Sequence, residues 1–352
     1  MLPNEARLPT VSVIIPVYNV EQYIAETLES VLNQTFKDFE IVIIDDGATD
    51  SSIDICRRVE DRRIRLIRQH NRGLAGARNT GIRHARGQYL AFLDSDDLWH
   101  AEKLARHVEH LQQSPQVGVS FSRSTFIDEN GQPLGIHQMP KLTDITPGYL
   151  FCRNPISNGS TPVIRRGVLD AIKFQANLYG TVEDFYFDDS FRQSEDIECW
   201  LRIALQTDWS IEGIPESLTL YRVNSGGLSA NLMKQYAAWE RIVDRTRTYA
   251  PQFLAEWESR ARAYQLRYLA RRAVSQQDGR LARQLVQQSL VTDGRILLTE
   301  PRRTGITLIA AYLLALLPQH RYRQLEQWMM RSTGRQQRRA IVQQSGNPVA
   351  SS

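Results

Sequence analysis

The amino-acid sequence predicts an α/β fold, with a mostly parallel β-sheet flanked by helices and a helical region at the C-terminal end. Three observations lead to this expectation. Apolar runs alternate with helix-like patterns over the first hundred residues, acidic side chains follow several of the apolar runs, and the balance of charge reverses near residue 230. Alternating strands and helices are typical of βαβ units, in which right-handed crossovers join parallel strands.

The spacing of apolar residues predicts the individual elements. Apolar runs rich in β-branched residues indicate buried strands over Val11–Val17 and Glu40–Ile44. A short strand is expected over Ile64–Arg68 and another strand over Gln88–Leu93. Apolar stripes with a helical period indicate helices over Glu21–Leu32, Ser51–Val59, Gly76–Arg86 and Trp99–Gln112. A further strand is expected over Val117–Phe121, a helix from Glu195, and almost only helix after Leu232.

Composition excludes several protein classes. With 42% hydrophobic and 23% charged residues, the 352-residue chain has globular proportions and is neither disordered nor collagen-like. Its three cysteines lie far apart, which favours buried thiols in a reducing compartment over a disulfide framework or a zinc site. The first ten residues contain no apolar segment typical of a signal peptide. We therefore expect a cytoplasmic protein.

The charge of the chain is distributed unevenly. From Lys234 onward there are 20 Lys+Arg and 8 Asp+Glu, whereas the preceding residues have a net charge of −8. This shift predicts a domain boundary near residue 230 and a basic, mostly helical region over 231–352. The basic residues are dispersed along helices without a recognised binding motif, so nucleic acid is not an expected partner.

One apolar stretch in the basic region, Ile306–Leu317, is flanked by arginines. It is too short to span a bilayer, which needs about 20 apolar residues. Two interpretations fit it. The stretch lies in the interface of an anionic membrane, which would place the protein peripherally on the inner face of that membrane, or it packs within a helical bundle or homo-oligomer.

Polar side chains follow three of the predicted strands. Sites in parallel sheets lie beyond the carboxyl ends of the strands, so these side chains are expected to converge. Crowded carboxylates repel one another unless a cation neutralises them, and hard oxygen ligands favour Mg²⁺ or Mn²⁺ together with phosphate oxygens. The alternative is that Asp96 or Asp97 merely caps the following helix. The residues concerned are Tyr18, Asn19, Asp45, Asp46, Asp94, Asp96 and Asp97.

Two common nucleotide-binding motifs are missing from the sequence. No GxGxxG follows the first predicted strand and no GxxxxGKS/T occurs, which disfavours a dinucleotide dehydrogenase and a P-loop NTPase. The segment Gly73–Gly76 opens a predicted helix, where a phosphate could approach the backbone.

Four motifs, in this order, resemble the family-2 inverting glycosyltransferases with the GT-A fold. They cover about the first 110 residues and read VSVIIPVYN (Val11–Asn19), EIVIIDDGATD (within Gln34–Asp50), GLAGARNTGI (Gly73–Ile82) and GQYLAFLDSDD (Gly87–Asp97). The resemblance implies a GT-A type, Rossmann-like sheet over residues 1–230, with a nucleotide-binding half over about 1–115 and an acceptor half over about 116–230. It also implies a nucleoside-diphosphate sugar as donor, expected to be a UDP-sugar.

The resemblance implies a role for individual residues of the donor site. Pro16 and Tyr18 would line the nucleobase pocket, and Asp46 would bind the edge of uracil or thymine. Arg78 would lie near the base or the phosphates, and Asp94 near the ribose and the donor sugar.

The resemblance also implies a metal site, in which Asp96 would ligate Mn²⁺ or Mg²⁺. Tyr221–Asn224 resembles a later element of the family in which many members carry His at the position of Asn224. The sequence departs from the family there, and whether Asn224 contacts the metal stays open.

The pair Glu195-Asp196 resembles the family's Glu-Asp pair, in which the Asp is the catalytic base. An inverting transfer needs a carboxylate that removes the proton of the acceptor hydroxyl, while a metal stabilises the leaving diphosphate. A carboxylate at a helix N-terminus is also a common cap. Other acids precede the pair, at Glu183, Asp184, Asp188 and Asp189.

These observations predict a metal-dependent inverting glycosyltransferase. It would move a single sugar to a hydroxyl of a glycan or lipid-linked acceptor in cell-surface polysaccharide or glycolipid synthesis. One alternative, a sugar-nucleotide nucleotidyltransferase, would need a basic, glycine-rich loop after the first strand, where this chain has Pro16–Asn19. The other, a non-catalytic sugar-nucleotide-binding scaffold, would be expected to have lost its carboxylates, but Asp46, Asp94, Asp96 and Asp196 are present.

Overall fold

The computed structural model describes residues 8–224, 231–316, 336–341 and 343–344. The chain divides into two compact units. The first unit comprises residues 1–145, 156–224 and 337–352, and the second comprises residues 146–155 and 225–336. The stretch 146–155 is therefore a piece of the second unit that interrupts the sequence of the first. Most of the predicted basic region beyond Leu316 lies outside the described residues.

Within the described residues, a nine-stranded mixed sheet forms the centre of the first unit. Its order is β3-β2-β1-β4-β8-β6-β11-β5, with β7 paired to β6, and β9 and β10 form a separate pair. The strands are β1 (Val11–Val17), β2 (Phe39–Asp45), β3 (Ile64–Arg68), β4 (Tyr89–Phe92), β5 (Leu98–Trp99), β6 (Val117–Ile127), β7 (Pro133–Gln138), β8 (Val163–Arg165), β9 (Phe174–Ala176), β10 (Glu183–Phe185) and β11 (Ser210–Arg222). The first four are mutually parallel, whereas β8 is antiparallel to β4 and β6.

Helices flank the sheet and make up the second unit. Helix α3 packs against β1 and β2, and α4 packs against β6. The helices are α1 (Ile24–Leu32), α2 (Ser52–Arg57), α3 (Gly73–His84), α4 (Lys103–Gln113), α5 (Pro147–Cys152), α6 (Arg166–Ile172), α7 (Glu195–Gln206), α8 (Leu232–Tyr249), α9 (Pro251–Ser275), α10 (Gly279–Thr292), α11 (Ile296–Thr299) and α12 (Pro301–Leu316).

Strand β1 is the central strand of the parallel part, and all seven of its residues are buried. Pro16 fits there because the pairing with β4 ends at Ile14, whose carbonyl accepts from the N–H of Leu93. The backbone nitrogen of Pro16, two residues further along, points to the same side as the carbonyl of Ile14. No residue of β4 lies opposite it there, so the N–H that proline lacks is not needed for a hydrogen bond. The strand thus keeps its pairing and still carries a proline close to its carboxyl end.

Two strands differ from the sequence prediction. Leu98–Trp99 pairs antiparallel with Thr219–Leu220 of β11, and helix α4 begins only at Lys103 rather than at Trp99. Strand β11 itself was not anticipated, because its pairing partner β6 lies about ninety residues earlier in the chain. Since α4 starts after Glu102, neither Asp96 nor Asp97 caps it, and the capping alternative is wrong.

The second unit is a bundle of helices α5 and α8–α12. Its apolar core comes from α9, α10 and α12, and α5 is held by aromatic contacts. The ring of Phe151 stacks on Trp239 at a centroid distance of 5.5 Å. The prediction that the chain forms almost only helix after Leu232 is confirmed for the described residues. No helix among them is long and apolar enough to cross a membrane.

We predict that Gly81→Ala destabilises the first unit. Gly81 of α3 faces β1, where an added Cβ would stand 2.2 Å from Cγ2 of Ile14. The resulting overpacking, typically about 1–3 kcal/mol, should outweigh the helix preference of alanine over glycine, about 1 kcal/mol. The free energy of unfolding in urea measures the effect. Gly167→Ala in α6 is the matched control, because nothing lies within 4 Å of the added methyl group. Equal effects of the two substitutions would contradict close packing of α3 on β1.

Candidate active site

The carboxyl ends of β1, β2 and β4 meet at one edge of the sheet. The N–H of Asp46 donates to the carbonyl of Val17 at 3.0 Å, which joins the ends of β1 and β2. Leu93, directly after β4, donates to Ile14 of β1 at 3.0 Å. The polar residues that follow these three strands therefore lie on the same edge, as the sequence predicted.

The loop after β1 presents an exposed aromatic ring. Tyr18 is 50% exposed, and Asn19 after it has the left-handed backbone angle φ of 52°. The Asn19 side-chain oxygen accepts from the backbone N–H of Thr49 at 2.8 Å, so the loops after β1 and β2 are held side by side. Pro16 is buried within β1. That Pro16 and Tyr18 contact a nucleobase stays a prediction.

Asp46 is buried and holds the start of helix α3. Its Oδ1 accepts from Nε2 of Gln69 at 2.6 Å and from the N–H of Arg72 at 2.8 Å, and its Oδ2 accepts from the N–H of Gly73 at 2.9 Å. Burial raises the pKa of Asp46, and these donors oppose the rise. A carboxylate offers about four acceptor positions, so one remains on Oδ2.

Arg78, on the buried face of α3, bridges two carboxylates. Its Nη1 lies 2.6 Å from Oε1 of Glu195, and its Nη2 lies 2.6 Å from Oδ1 of Asp94. Burial opposes the charged guanidinium, but the carboxylates of Asp94, Glu195 and Asp196 outweigh it and raise the pKa of Arg78. Gly159 leaves the necessary space, since a Cβ there would stand 2.1 Å from Nη2. This Arg78 bridge ties the end of β4 to the start of α7.

The acidic run after β4 is anchored by the end of β11. Oδ1 of Asp97 accepts from the N–H of Arg222 at 2.9 Å, and the carbonyl of Asp96 accepts from Nε of Arg222 at 2.7 Å. The Arg222 guanidinium also pairs with Glu26 of α1 at 3.1 Å. Burial, together with Asp96 and Asp94, raises the pKa of Asp97 well above its ordinary value. Asp97 is thus a buried support, and Asp96 beside it remains half-buried.

The surroundings of Asp96 fit a hard divalent cation. Nδ2 of Asn224 donates to Oδ2 of Asp96 at 2.8 Å, while Oδ1 of Asn224 is buried without a hydrogen-bond partner among the described residues. Burial and the charge of Asp94 raise the pKa of Asp96 to about 6. The described part of the chain contains no cluster of three or more His, Cys, Asp and Glu side chains that could hold a metal. An open site with few protein oxygens is typical of Mg²⁺ and Mn²⁺ bound together with substrate phosphates.

Asp196 lies half-buried in the first turn of α7. It follows Ser194, whose φ of 64° is left-handed, and its Oδ1 accepts from the N–H of Ile197 at 2.8 Å. Burial and the adjacent Glu195 raise the pKa of Asp196 to about 7, although Arg78 opposes the rise. Asp196 thus accepts from one N–H of the first turn, although α7 has no side-chain hydrogen bond from its N-cap residue Ser194. The raised pKa suits a general base at neutral pH.

The other acids near Asp196 are occupied by neighbouring groups. Glu183 pairs with Arg72 at 2.8 Å, Asp184 pairs with Lys173 at 2.8 Å, and Asp188 accepts from the N–H of Ser190 at 2.9 Å. Asp189 accepts from Tyr179 at 3.0 Å and also from Asn79, and burial raises its pKa to about 6.

The sequence singled out Asn79, with Arg78, only as a residue near a possible phosphate site at Gly73–Gly76, whereas the structure buries it fully in α3. Its side-chain oxygen accepts from the N–H groups of Tyr186 and Phe187, both at 2.9 Å, and its Nδ2 donates to the carbonyl of Phe187 at 2.8 Å. Asn79 thereby holds the segment before α7 against the helix that carries Arg78. Its position beside Arg78 in the GLAGARNTGI motif was the available signal, but nothing local distinguishes it from an exposed helical asparagine.

Comparison with known proteins identifies the family. The sequence profile described as "Glycosyl transferase family 2" matches residues 12–173. The chain is 33% identical over 228 residues to an Escherichia coli protein named UDP-Glc:alpha-D-GlcNAc-diphosphoundecaprenol beta-1,3-glucosyltransferase WfaP, a match that covers 64% of this chain and 82% of WfaP. It is also 37% identical over 223 residues to an uncharacterized glycosyltransferase of Rickettsia felis, covering 61% of this chain. The chain spans only 33% of the length of that Rickettsia protein.

The fold has counterparts among solved structures. The mannosyltransferase PcManGT from Pyrobaculum calidifontis, solved in complex with GDP-Man and Mn²⁺, matches with a TM-score of 0.54 at 22% identity. The match covers 88% of each chain. At this identity the likeness concerns the fold, a mixed sheet flanked by helices and followed by a helical C-terminal region. The chain belongs to glycosyl transferase family 2 and has the GT-A type of fold.

Proposed function

We propose that the protein is an inverting glycosyltransferase that moves one sugar from a nucleoside-diphosphate sugar, expected to be a UDP-sugar, to a hydroxyl group of a glycan or lipid-linked acceptor. The reaction would serve the synthesis of a cell-envelope polysaccharide or glycolipid. Family membership supports the reaction class, and the name of WfaP, which contains both UDP-Glc and a diphosphoundecaprenol acceptor, supports the donor and acceptor classes.

The Arg78 bridge is the observation that carries this proposal. It holds Glu195, and hence its neighbour Asp196, to Asp94 through one buried guanidinium. A candidate base is thereby tied to the acidic edge where a donor diphosphate and its metal would bind. A structural cap alone would not require such a connection across 117 residues of chain.

Each residue of the acidic edge would have a separate role in the proposed reaction. Asp96 and Asn224 would hold Mn²⁺ or Mg²⁺, which stabilises the negative charge of the leaving diphosphate. Asp94 would orient the donor, and Pro16, Tyr18 and the remaining acceptor position of Asp46 would receive the nucleobase. Asp196 would accept the proton of the acceptor hydroxyl as its oxygen attacks the anomeric carbon. Arg78 would act by positioning Asp94 and Glu195 rather than by contacting the nucleobase of the donor.

Asp196→Asn should leave donor binding intact but lower turnover by about a hundredfold or more, because the amide cannot accept the proton. Sugar transfer from UDP-sugars to a hydroxyl acceptor measures turnover, and calorimetry measures donor binding. Asp188→Asn is the matched control, since Asp188 is an equally half-buried carboxylate that precedes α7. Loss of turnover in Asp188→Asn with full activity in Asp196→Asn would transfer the base role to Asp188.

The rate should rise with pH through about 7. Asp196 has a raised pKa of about 7, so it is protonated and inactive as a base below that pH and ionised above it. We expect kcat/KM at saturating Mn²⁺ to increase about tenfold per pH unit below this value and to level off near pH 8. Asp196→Asn should abolish this rise in its residual rate. A flat wild-type profile between pH 6 and 8 would contradict the assignment.

UDP should stabilise the protein against heat more strongly with Mn²⁺ than without it. Ligand at a hundred times its Kd stabilises by about 2.7 kcal/mol, so a thermal-shift panel of UDP, GDP, dTDP and CMP would identify the nucleotide. Asp96→Asn should remove the Mn²⁺-dependent part of the shift, whereas Asp54→Asn, an exposed carboxylate on α2, should preserve it. No shift with any nucleotide in folded protein would contradict a nucleotide-sugar donor site and therefore the proposed reaction.

A further inference from the structure

Helix α12 has one buried side and one side that exposes large apolar side chains. Thr304, Thr307, Ala311 and Leu314 are buried in the second unit. Ile306, Ile309 and Tyr312 are 45%, 60% and 38% exposed, respectively. Their spacing of three residues places them along one side of the helix, which we name the α12 apolar face.

Exposed apolar side chains continue beside this face. Nε2 of Gln287 on α10 donates to the hydroxyl of Tyr312 at 2.7 Å, and Val291, one helical turn further along α10, is 89% exposed. Monomeric proteins rarely expose several large apolar groups on one side, and such surfaces usually bind a partner or a membrane.

Arginines outnumber carboxylates at the N-terminal end of the α12 apolar face. Glu300 is paired with Arg153, with Arg267 at 3.4 Å and with Arg303 at 3.8 Å, so three guanidinium groups share one carboxylate. Burial and the neighbouring arginines lower the pKa of Arg267 to about 9. Arg302 is exposed, and no carboxylate in the described part of the chain lies within ion-pairing distance of it.

We propose that the α12 apolar face docks the second unit onto an anionic lipid surface. Ile306, Ile309 and Tyr312 would enter the boundary between headgroups and acyl chains, and Arg302 and Arg303 would meet lipid phosphates. Charge argues against a second copy of the same face as the occupant. Residues 231–316 contain 14 Lys+Arg and 7 Asp+Glu, so two such units would repel each other. The inference does not depend on the donor or on Asp196.

Vesicle cosedimentation of the full chain tests the proposal. We expect binding to vesicles of phosphatidylglycerol and phosphatidylcholine, with much weaker binding to phosphatidylcholine alone. Ile306→Asp combined with Ile309→Asp should reduce partitioning at least tenfold, because two apolar side chains no longer enter the interface. Leu8→Asp combined with Leu134→Asp is the matched control, since both leucines are exposed, at 65% and 47%, and lie in the first unit. That control should bind like the wild-type protein.

Arg302→Gln separates the electrostatic contribution from the apolar one. It should weaken binding to the anionic vesicles by about fivefold and leave binding to neutral vesicles unchanged. Wild-type partitioning by the Ile306/Ile309 variant would overturn the proposal. So would a dimer in solution that this variant dissociates without any vesicle binding by the wild-type chain. Nucleotide-dependent thermal shifts, measured in parallel on each variant, separate a failure of membrane docking from a failure of the proposed function.

Discussion

The buried guanidinium of Arg78 is the constraint on which the site depends. Two carboxylates from distant parts of the chain, Asp94 and Glu195, share it at 2.6 Å each, and Asp196 adds further negative charge nearby. Removing the guanidinium would leave these carboxylates, of which Glu195 is buried, without a cation to compensate them, which is far more costly than losing an exposed ion pair. The helix that carries Arg78, the end of β4 and the start of α7 must therefore be placed together. Asn79, the next residue, strengthens this arrangement through the segment before α7.

The carboxylates of the site fall into two groups according to their surroundings. Asp46, Asp97 and Glu195 accept from backbone or guanidinium donors and hold loops, strands and helices in position. Asp96 and Asp196 are half-buried and have pKa values raised to about 6 and about 7. A carboxyl group whose pKa lies near neutrality can take up or release a proton at neutral pH and can bind a cation when ionised. Such shifted pKa values are typical of functional sites. The supporting carboxylates hold Asp96 and Asp196, the proposed metal ligand and the proposed base, in place.

The second unit is built differently, because its described residues form helices and include many arginines. Its core uses alanines and leucines of α9, α10 and α12, which allow the helices to approach closely. The buried side of α12 is formed by Thr304, Thr307, Ala311 and Leu314, and Ile306 and Ile309 lie outside it. Such an arrangement is costly in water unless the outward face is covered. The positive charge of the exposed Arg302 and Arg303 beside this face favours an anionic cover over a similarly basic one.

Local sequence patterns determined the parallel strands β1 to β4 to within about one residue. Strands β1, β2 and β4 are buried throughout and are therefore mostly apolar, whereas the partly exposed β3 mixes apolar residues with arginine. The same patterns placed Asp46, Asp94 and Asp96 at the carboxyl edge, since that edge is common to all parallel neighbours. Only the tertiary structure decided the antiparallel pairing of Leu98–Trp99 with β11, the contact of Asn224 with Asp96 and the burial of Arg78 between two acids. The strand pairing, the contact of Asn224 with Asp96 and the contact of Arg78 with Glu195 each join residues more than a hundred positions apart. The contact of Arg78 with Asp94 joins α3 to the end of β4. Hydrophobic periodicity describes which face of an element is buried, but not which distant partner meets it there.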